Sequence, residues 1–253
     1  MKTLFVGQHS IHLNSVTSTN SYAIDLLKQI KAVEGTLIYT FDQRNGRGQR
    51  GNEWVGEPNK NVALSIILYP SFLTATAQFV LTKIISLSVA DLMSELLAKS
   101  AKSHDVKIKW PNDVYVNNRK IAGILIENSL KESTIQNSVV GIGINVNQEV
   151  FSSHLKNPIS LKQILSTDVD LHFCMERLCE FIEARYLQLK ANNIEKINQD
   201  YLSKLYLLNE WYLFGVEGNA LEGKITGVSK IGKLKVETKL GEIKEFDLKE
   251  IVF

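Results

Sequence analysis

With 253 residues, 29 basic against 27 acidic side chains and a net charge of +2, the chain is too evenly charged to imply nucleic acid or a membrane surface as its partner. A hydrophobic share of 44% and a charged share of 22% are those of an ordinary globular protein, and no run approaches the ~18–20 apolar residues of a membrane span. The length exceeds the commonest domain size of roughly 100–150 residues, so one large domain and one small one are expected, without a signal peptide and in the cytoplasm.

Residues 3–16 read as one or two strands, ending in Ile11-His12-Leu13-Asn14-Ser15-Val16. Thr17-Ser18-Thr19-Asn20 then starts a helix backed by Ala23, Ile24, Leu27 and Ile30, with a hydroxyl side chain as its N-cap. Four polar side chains at a helix start also suit a neutral polar ligand, because hydroxyls and amides both donate and accept. Strands follow at residues 36–41 and 61–69. Between them, residues 44–51 hold three arginines and three glycines, with Trp54 just beyond. A Rossmann or Walker phosphate loop opens straight into a helix. Here a strand follows, and the Gly-Lys-Ser/Thr of a Walker loop is missing. What remains is a strand-to-strand loop of exposed amides and guanidinium groups that can fold over an anion, with Trp54 as a flat lid. A solvated hairpin loop and a basic loop on nucleic acid stay open as alternatives at this point.

Residues 74–99 form the first long helix, with Leu81, Ile85, Val89, Leu92 and Leu96 as its core stripe. The strand at 106–116 is broken by Trp110-Pro111-Asn112-Asp113, since proline removes a ladder donor. Lys109, Asn112 and Asp113 around that kink could hold phosphate and a divalent cation, because magnesium takes oxygen ligands from one or two side chains plus phosphate. A turn with a packing tryptophan is the plainer alternative. Asn117-Asn118 suits a two-residue hairpin turn. In the apolar strand that follows, Lys120 is a candidate fixed positive charge and Gly123 marks a close approach. At 138–147, Gly141 and Gly143 clear one face of a strand and Asn145 continues it, which makes either a binding slot or a tight sheet crossing.

The segment 151–208 is helical, with Leu171, Met175, Leu178, Ile182, Tyr186 and Leu189 in one stripe. Cys174 and Cys179 read as core thiols, and the five histidines show no metal-ligand spacing, so no structural metal is expected. Short strands at 211–216, 221–228, 234–238 and 243–246, with Gly218, Gly232 and Gly241 in the turns, predict a small β-barrel of roughly 45 residues.

Taken together these motifs resemble the biotin–protein ligases. The resemblance rests on five motifs in the family's order: Ser18-Thr19-Asn20, Gly46-Arg47-Gly48-Gln49-Arg50-Gly51 with Trp54, Lys109-Trp110-Pro111-Asn112-Asp113, Arg119-Lys120-Ile121-Ala122-Gly123-Ile124-Leu125, and Gly141-Ile142-Gly143-Ile144-Asn145. It implies an α+β fold of the class II synthetase-like, biotin/lipoate ligase type. Residues 1–208 would be a mixed-sheet catalytic domain with flanking helices, and 209–253 an SH3-like β-barrel. It implies an ATP-dependent ligase that uses Mg2+-ATP to make biotinyl-5′-AMP and passes the biotinyl group to a lysine of a biotin carboxyl carrier domain. Two anions must meet in the first step, so positive charge is needed where they approach, and the resemblance assigns that catalytic task to Lys120 and Arg47. It places biotin against Ser18, Thr19, Asn20, Gln43, Gly46, Arg47, Gly48, Gln49, Lys120 and Gly123. The nucleotide falls to Arg50, Trp54, Lys109, Asn112 and Asn145, and the metal to Asp113.

Gln49 departs from the basic residue often found at that point of the family's loop, which puts its role in question. The glycine loop is expected to be mobile and to close on ligand. Because the motifs begin at residue 18, no room is expected for the N-terminal DNA-binding domain of some relatives, so neither operator DNA binding nor a repressor role is expected. No membrane partner is expected, and the sequence leaves homodimer formation undecided. A lipoate or octanoate ligase shares the fold but calls for a different arginine- and glycine-rich motif and lacks the Lys-Trp-Pro-Asn-Asp block.

Overall fold

The computed structural model describes residues 1–98 and 100–253, with Arg50 described by its backbone alone. In chain order the elements are β1 (Ser10–His12), α1 (Thr19–Gln29), β2 (Leu37–Thr40), β3 (Gly46–Arg47), β4 (Glu53–Trp54), β5 (Asn61–Leu68), α2 (Phe79–Leu97), β6 (Val106–Lys109), β7 (Asp113–Val116), β8 (Arg119–Lys131) and β9 (Thr134–Asn145). They continue with α3 (Leu161–Leu165), α4 (Leu171–Lys190), α5 (Ile194–Ser203), β10 (Trp211–Val216), β11 (Asn219–Val228), β12 (Leu234–Thr238), β13 (Ile243–Phe246) and β14 (Ile251–Val252).

Seven strands make the central sheet in the order β1-β2-β5-β9-β8-β7-β6. It is mixed, because β1 runs parallel to β2 while the other neighbours are antiparallel. Every residue of β5 is buried, as a strand covered on both faces requires. Its even-numbered side chains, Val62, Leu64, Ile66 and Leu68, enter the main core with α2 and α4. On the other face Ile67 packs with Ile38 and Val139 against Ala23 of α1. Helix α1 starts where the sequence places it: Ser18 is its N-cap and accepts a hydrogen bond from the Ser21 amide. The Asn117-Asn118 turn has both residues at positive φ, 49° and 63°, which a tight two-residue hairpin demands.

Several boundaries differ from expectation for physical reasons. Only residues 10–12 of the N-terminal segment join the sheet, because the amides of Leu4, Phe5 and Val6 donate instead to the Glu183 carboxylate of α4. The long helix begins at Phe79, since residues 75–77 form a separate 3-10 turn tied to the β8–β9 hairpin through Ala75 N and Ser133 O. Its expected last residue, Lys99, lies outside the described residues. Strand β9 starts four residues early, at Thr134.

The C-terminal strands form a five-stranded antiparallel sheet in the order β13-β12-β11-β10-β14. This is the expected SH3-like domain, without a closed barrel. β13 and β14 lie at opposite edges, and among the described residues no pairing between them closes the sheet, which remains an SH3-like arrangement left open. The sheet is seated on the rest of the chain where Trp110 Nε1 donates to Gly232 O at 2.8 Å. Gly232 has φ +97°, and a β-carbon there would overlap Phe79, so both the turn and the contact call for glycine.

Cys174 and Cys179 are both buried and free, and burial pushes each thiol up to about 12, which leaves them unreactive core groups. Among the described residues no cluster of three or more His, Cys, Asp or Glu could hold a metal ion, and no helix is long and apolar enough to cross a membrane.

Candidate active site

Strand register lays down the floor of a cavity of about 360 Å³. Reading the antiparallel pairings across the sheet, Lys109 sits opposite Asp113, Asp113 opposite Gly123, Gly123 opposite Gly143, Gly143 opposite Ala63, and Ala63 opposite Thr40. Side chains in one cross-strand row point to one face. This row therefore carries charge at one end and almost nothing but backbone in the middle. The next row repeats the pattern with Leu125, Gly141 and Ser65. The strip cleared by Gly141 and Gly143 is covered by side chains of this chain, with α1 crossing at Gly141 and Trp54 lying over Gly143. A β-carbon at Gly141 would overlap the Asn20 amide, and one at Gly143 would overlap the Trp54 indole, which also covers Gly123.

Trp54 reaches the floor because the glycine-rich stretch is itself a small hairpin. Gly46 pairs with Trp54 and Arg47 with Glu53, and a 3-10 turn at Gln49–Gly51 joins the two strands. Gly48 and Gln49 line the cavity with Arg47. Gly46 is absent from that lining. A β-carbon on it would press on Gln43 Nε2 and Trp54 O, so its role is to let the hairpin close. The Arg50 side chain lies outside the described residues.

The two cations expected to be catalytic, Lys120 and Arg47, are each held by a carboxylate. Plain strand alternation would put Lys120 on the face opposite Gly123. A register shift between β7 and β8, where Val114 pairs with Ala122 but Tyr115 with Lys120, leaves Ile121 as an extra residue and turns Lys120 into the cavity. Its Nζ lies 2.8 Å from Asp113 Oδ1 and 5.8 Å from the centre of the Trp54 ring. Arg47 Nη2 lies 2.7 Å from Glu127 Oε2. Lys109 sits over the Phe253 ring at 4.6 Å and the Tyr115 ring at 5.3 Å. Burial lowers its pKa below that of an ordinary lysine; Asp113 opposes that shift, while Lys120 and Lys156 add to it.

The α1 end of the cavity is a closed hydrogen-bond network. Gln43 Oε1 accepts from the Thr19 amide at 2.9 Å, and Ser65 Oγ bridges Thr19 Oγ1 at 2.8 Å and Asn20 Oδ1 at 2.6 Å. Asn20 Nδ2 donates to Leu125 O at 3.2 Å and to Glu127 Oε2 at 2.8 Å. Ser18, Thr19, Asn20 and Gln43 all line the cavity, but both ends of the Asn20 amide are engaged, so it serves as a wall.

Two further assignments are modified by geometry. Asn112 lines the cavity while its Nδ2 donates to Ile124 O at 2.5 Å, pinning the Trp-Pro turn to β8. Asn145 is buried away from the cavity and donates to Ile159 O at 3.1 Å and Lys120 O at 3.4 Å, holding the strand that presents Lys120. Sequence reasoning did not single out Ser65, Glu127, Lys156 or the C-terminal residues Leu248 to Phe253. Lys156, Leu248, Lys249 and Ile251 to Phe253 line the cavity directly, while Ser65 and Glu127 hold its α1 wall. The signal for Ser65 and Glu127 was present as polar residues in otherwise apolar strands, Ser65 opposite Gly141 and Glu127 opposite Val139. Only the register shows that they meet.

Residues 13–145, which contain the whole floor and the β3–β4 hairpin, match the biotin/lipoate A/B protein ligase family. The chain belongs to that family. Among the ligases it is similar to, the bifunctional ligase/repressor BirA of Bacillus subtilis is 31% identical over 95% of this chain and 73% of that protein. The biotin–[acetyl-CoA-carboxylase] ligase of Paracoccus denitrificans is 36% identical over 51% of this chain and 52% of its own. Among solved ligase structures, the biotin protein ligase from Aquifex aeolicus in complex with biotin and ATP superposes with a TM-score of 0.79 at 27% identity, covering 97% of this chain and 98% of that one.

Proposed function

We propose that this ligase activates biotin with ATP and transfers it to a lysine of a biotin carboxyl carrier domain. The observation that carries the proposal is the floor row: a backbone-lined slot long enough for an extended chain, with Lys109, Asp113 and Lys120 gathered at one end and hydroxyl and amide groups at the other. That polarity suits biotin, whose neutral ureido ring needs partners that donate and accept and whose carboxylate needs a cation.

In the first half-reaction a biotin carboxylate oxygen attacks the α-phosphorus of ATP. The bond to the β-phosphate oxygen breaks, and pyrophosphate leaves with the electron pair. Lys120 stands beside Gly123 to offset the charge shared by carboxylate and phosphate as they approach. In the second, the neutral ε-amine of the carrier lysine attacks the acyl carbon, the bond to the phosphate oxygen breaks, AMP departs, and the amine loses its proton. Trp54, with the hairpin that carries it, excludes water from the anhydride. Lys109 and Asn112 stand on the nucleotide side. Asp113 has one oxygen on Lys120, which leaves the other for the Mg2+ that accompanies ATP.

We read residues 1–208 as the catalytic domain and 209–253 as an SH3-like cap whose last residues close the nucleotide end. With two free buried thiols and an ATP-dependent reaction, the cytoplasm is the compartment this reading calls for. The test is exchange of labelled pyrophosphate into ATP with biotin, with lipoate and with neither acid. Exchange with biotin alone is the expected result. Exchange with lipoate alone would keep the fold and reassign the slot.

A further inference from the structure

The two cations assigned to the approaching anions are not in the same place. Lys120 stands beside Asp113 in the row of Gly123. Arg47 is bound to Glu127, four residues farther along β8, which at ~3.3 Å per residue is about 13 Å of strand. Both Glu127 and Arg47 remain partly open to solvent, at 30% and 44% of their side-chain surface. The same Glu127 oxygen also accepts from Asn20 Nδ2, so the carboxylate is anchored to the α1 wall while the guanidinium comes from the hairpin. Glu53 faces Arg47 across the hairpin in register.

We infer that Glu127 is a positioning residue that competes with the ligand carboxylate for Arg47. To act with Lys120 on one carboxylate or α-phosphate, Arg47 must give up Glu127. A ligand anion that reaches Arg47 while it stays paired meets the Glu127 charge beside it. Either way Glu127 weakens the hold on the anionic end of the ligand and leaves the neutral end untouched. It thereby sets how strongly the site prefers a carboxylate over a neutral head of the same shape. This inference rests on the biotin reading and on the assignment of Arg47.

The probes are biotin and biotinol, the neutral alcohol with CH2OH in place of the carboxylate. Their dissociation constants are measured by calorimetry on the wild type, Glu127→Gln, Glu127→Asp, Arg47→Ala and the Arg47→Ala/Glu127→Gln double variant. Glutamine keeps the shape and an acceptor for Asn20 while removing the charge. Glu127→Gln is expected to tighten biotin by about three- to tenfold and leave biotinol unchanged, in line with one partly exposed charge pair. Glu127→Asp should behave as the wild type, and in the Arg47→Ala background the Glu127→Gln effect on biotin should vanish. An equal shift for both ligands would make Glu127 part of the wall only and overturn the inference, as would a biotin effect that persists without Arg47. If Arg47→Ala alone leaves the biotin-to-biotinol ratio at its wild-type value, the Arg47 assignment fails and the inference falls with it. A wild type that binds neither probe overturns the biotin reading itself.

Discussion

In the proposed reaction Lys120 and Gly143 act in opposite ways: one by what its side chain brings to the cavity, the other by having none. Lys120→Ala is expected to lower biotin-dependent pyrophosphate exchange by about a hundredfold or more, with circular dichroism unchanged because the side chain is partly exposed and outside the core. Near-normal exchange would remove Lys120 from the reaction. Gly143→Ala places a methyl where the Trp54 indole lies, so the indole must lift or the ligand lose its floor. KM for biotin should rise roughly tenfold while kcat changes less, and an unchanged KM would show that the slot runs elsewhere. At this scale the sequence was legible for cations and glycines, whose chemistry is intrinsic. It was less legible for amides. Asn112 and Asn145 stand in the expected motifs, yet their donors are given to backbone carbonyls of Ile124, Ile159 and Lys120. An asparagine that serves a ligand and one that serves a neighbouring strand look the same until the strand is in place.

Among the elements, α2 shows how packing overrides a simple stripe. Its periodicity predicts one apolar face, but it is buried against the sheet, α4 and α5, and Lys83 is carried inside with it at 8% exposure. Lys83 Nζ donates to Asn198 Oδ1 of α5 at 2.8 Å and lies over the rings of Phe79 and Tyr201, and burial lowers its pKa to about 8. A lysine whose folded pKa lies below its unfolded value binds fewer protons when folded. Stability therefore rises as pH climbs from about 8 toward 10.5, and at neutral pH the buried charge costs stability. Lys83→Met is expected to raise stability at pH 7 by roughly 1–3 kcal/mol and to flatten that alkaline rise, as read by denaturant melts across the pH range. A less stable variant at pH 7 would mean that the Asn198 and ring contacts outweigh the burial. The Gly-Arg stretch was readable as a strand-to-strand connection because no helix pattern follows it. That it pairs with itself, Gly46 to Trp54, depends on a two-residue ladder too short to leave a periodic signal.

For the whole molecule, the joint between the central sheet and the C-terminal strands is where sequence reading stopped. The turns at Gly218, Gly232 and Gly241 mark the strands, but nothing local shows whether the two edge strands, four places apart in the sheet, close into a barrel, and here they stay open. Nor could the sequence show that Phe253 comes to rest on Lys109, more than a hundred residues away. Phe253→Ala is expected to raise KM for ATP by about three- to tenfold and leave KM for biotin unchanged, because the ring meets Lys109, the cation proposed for the nucleotide. Equal rises in both constants would point instead to general loosening of the cap, since Phe253 also packs edge-on against Phe214.

The floor row has a consequence for how such a site can change. Six residues from six strands are brought abreast by hydrogen-bond register alone, so the site works as a counter as much as a set of side chains. A deletion of one residue between Gly123 and the β8–β9 turn would reverse the facing of everything beyond it. Point substitutions can tune this slot by degrees, but insertions and deletions inside β8 or β9 have no small steps: they either keep the count or erase the site.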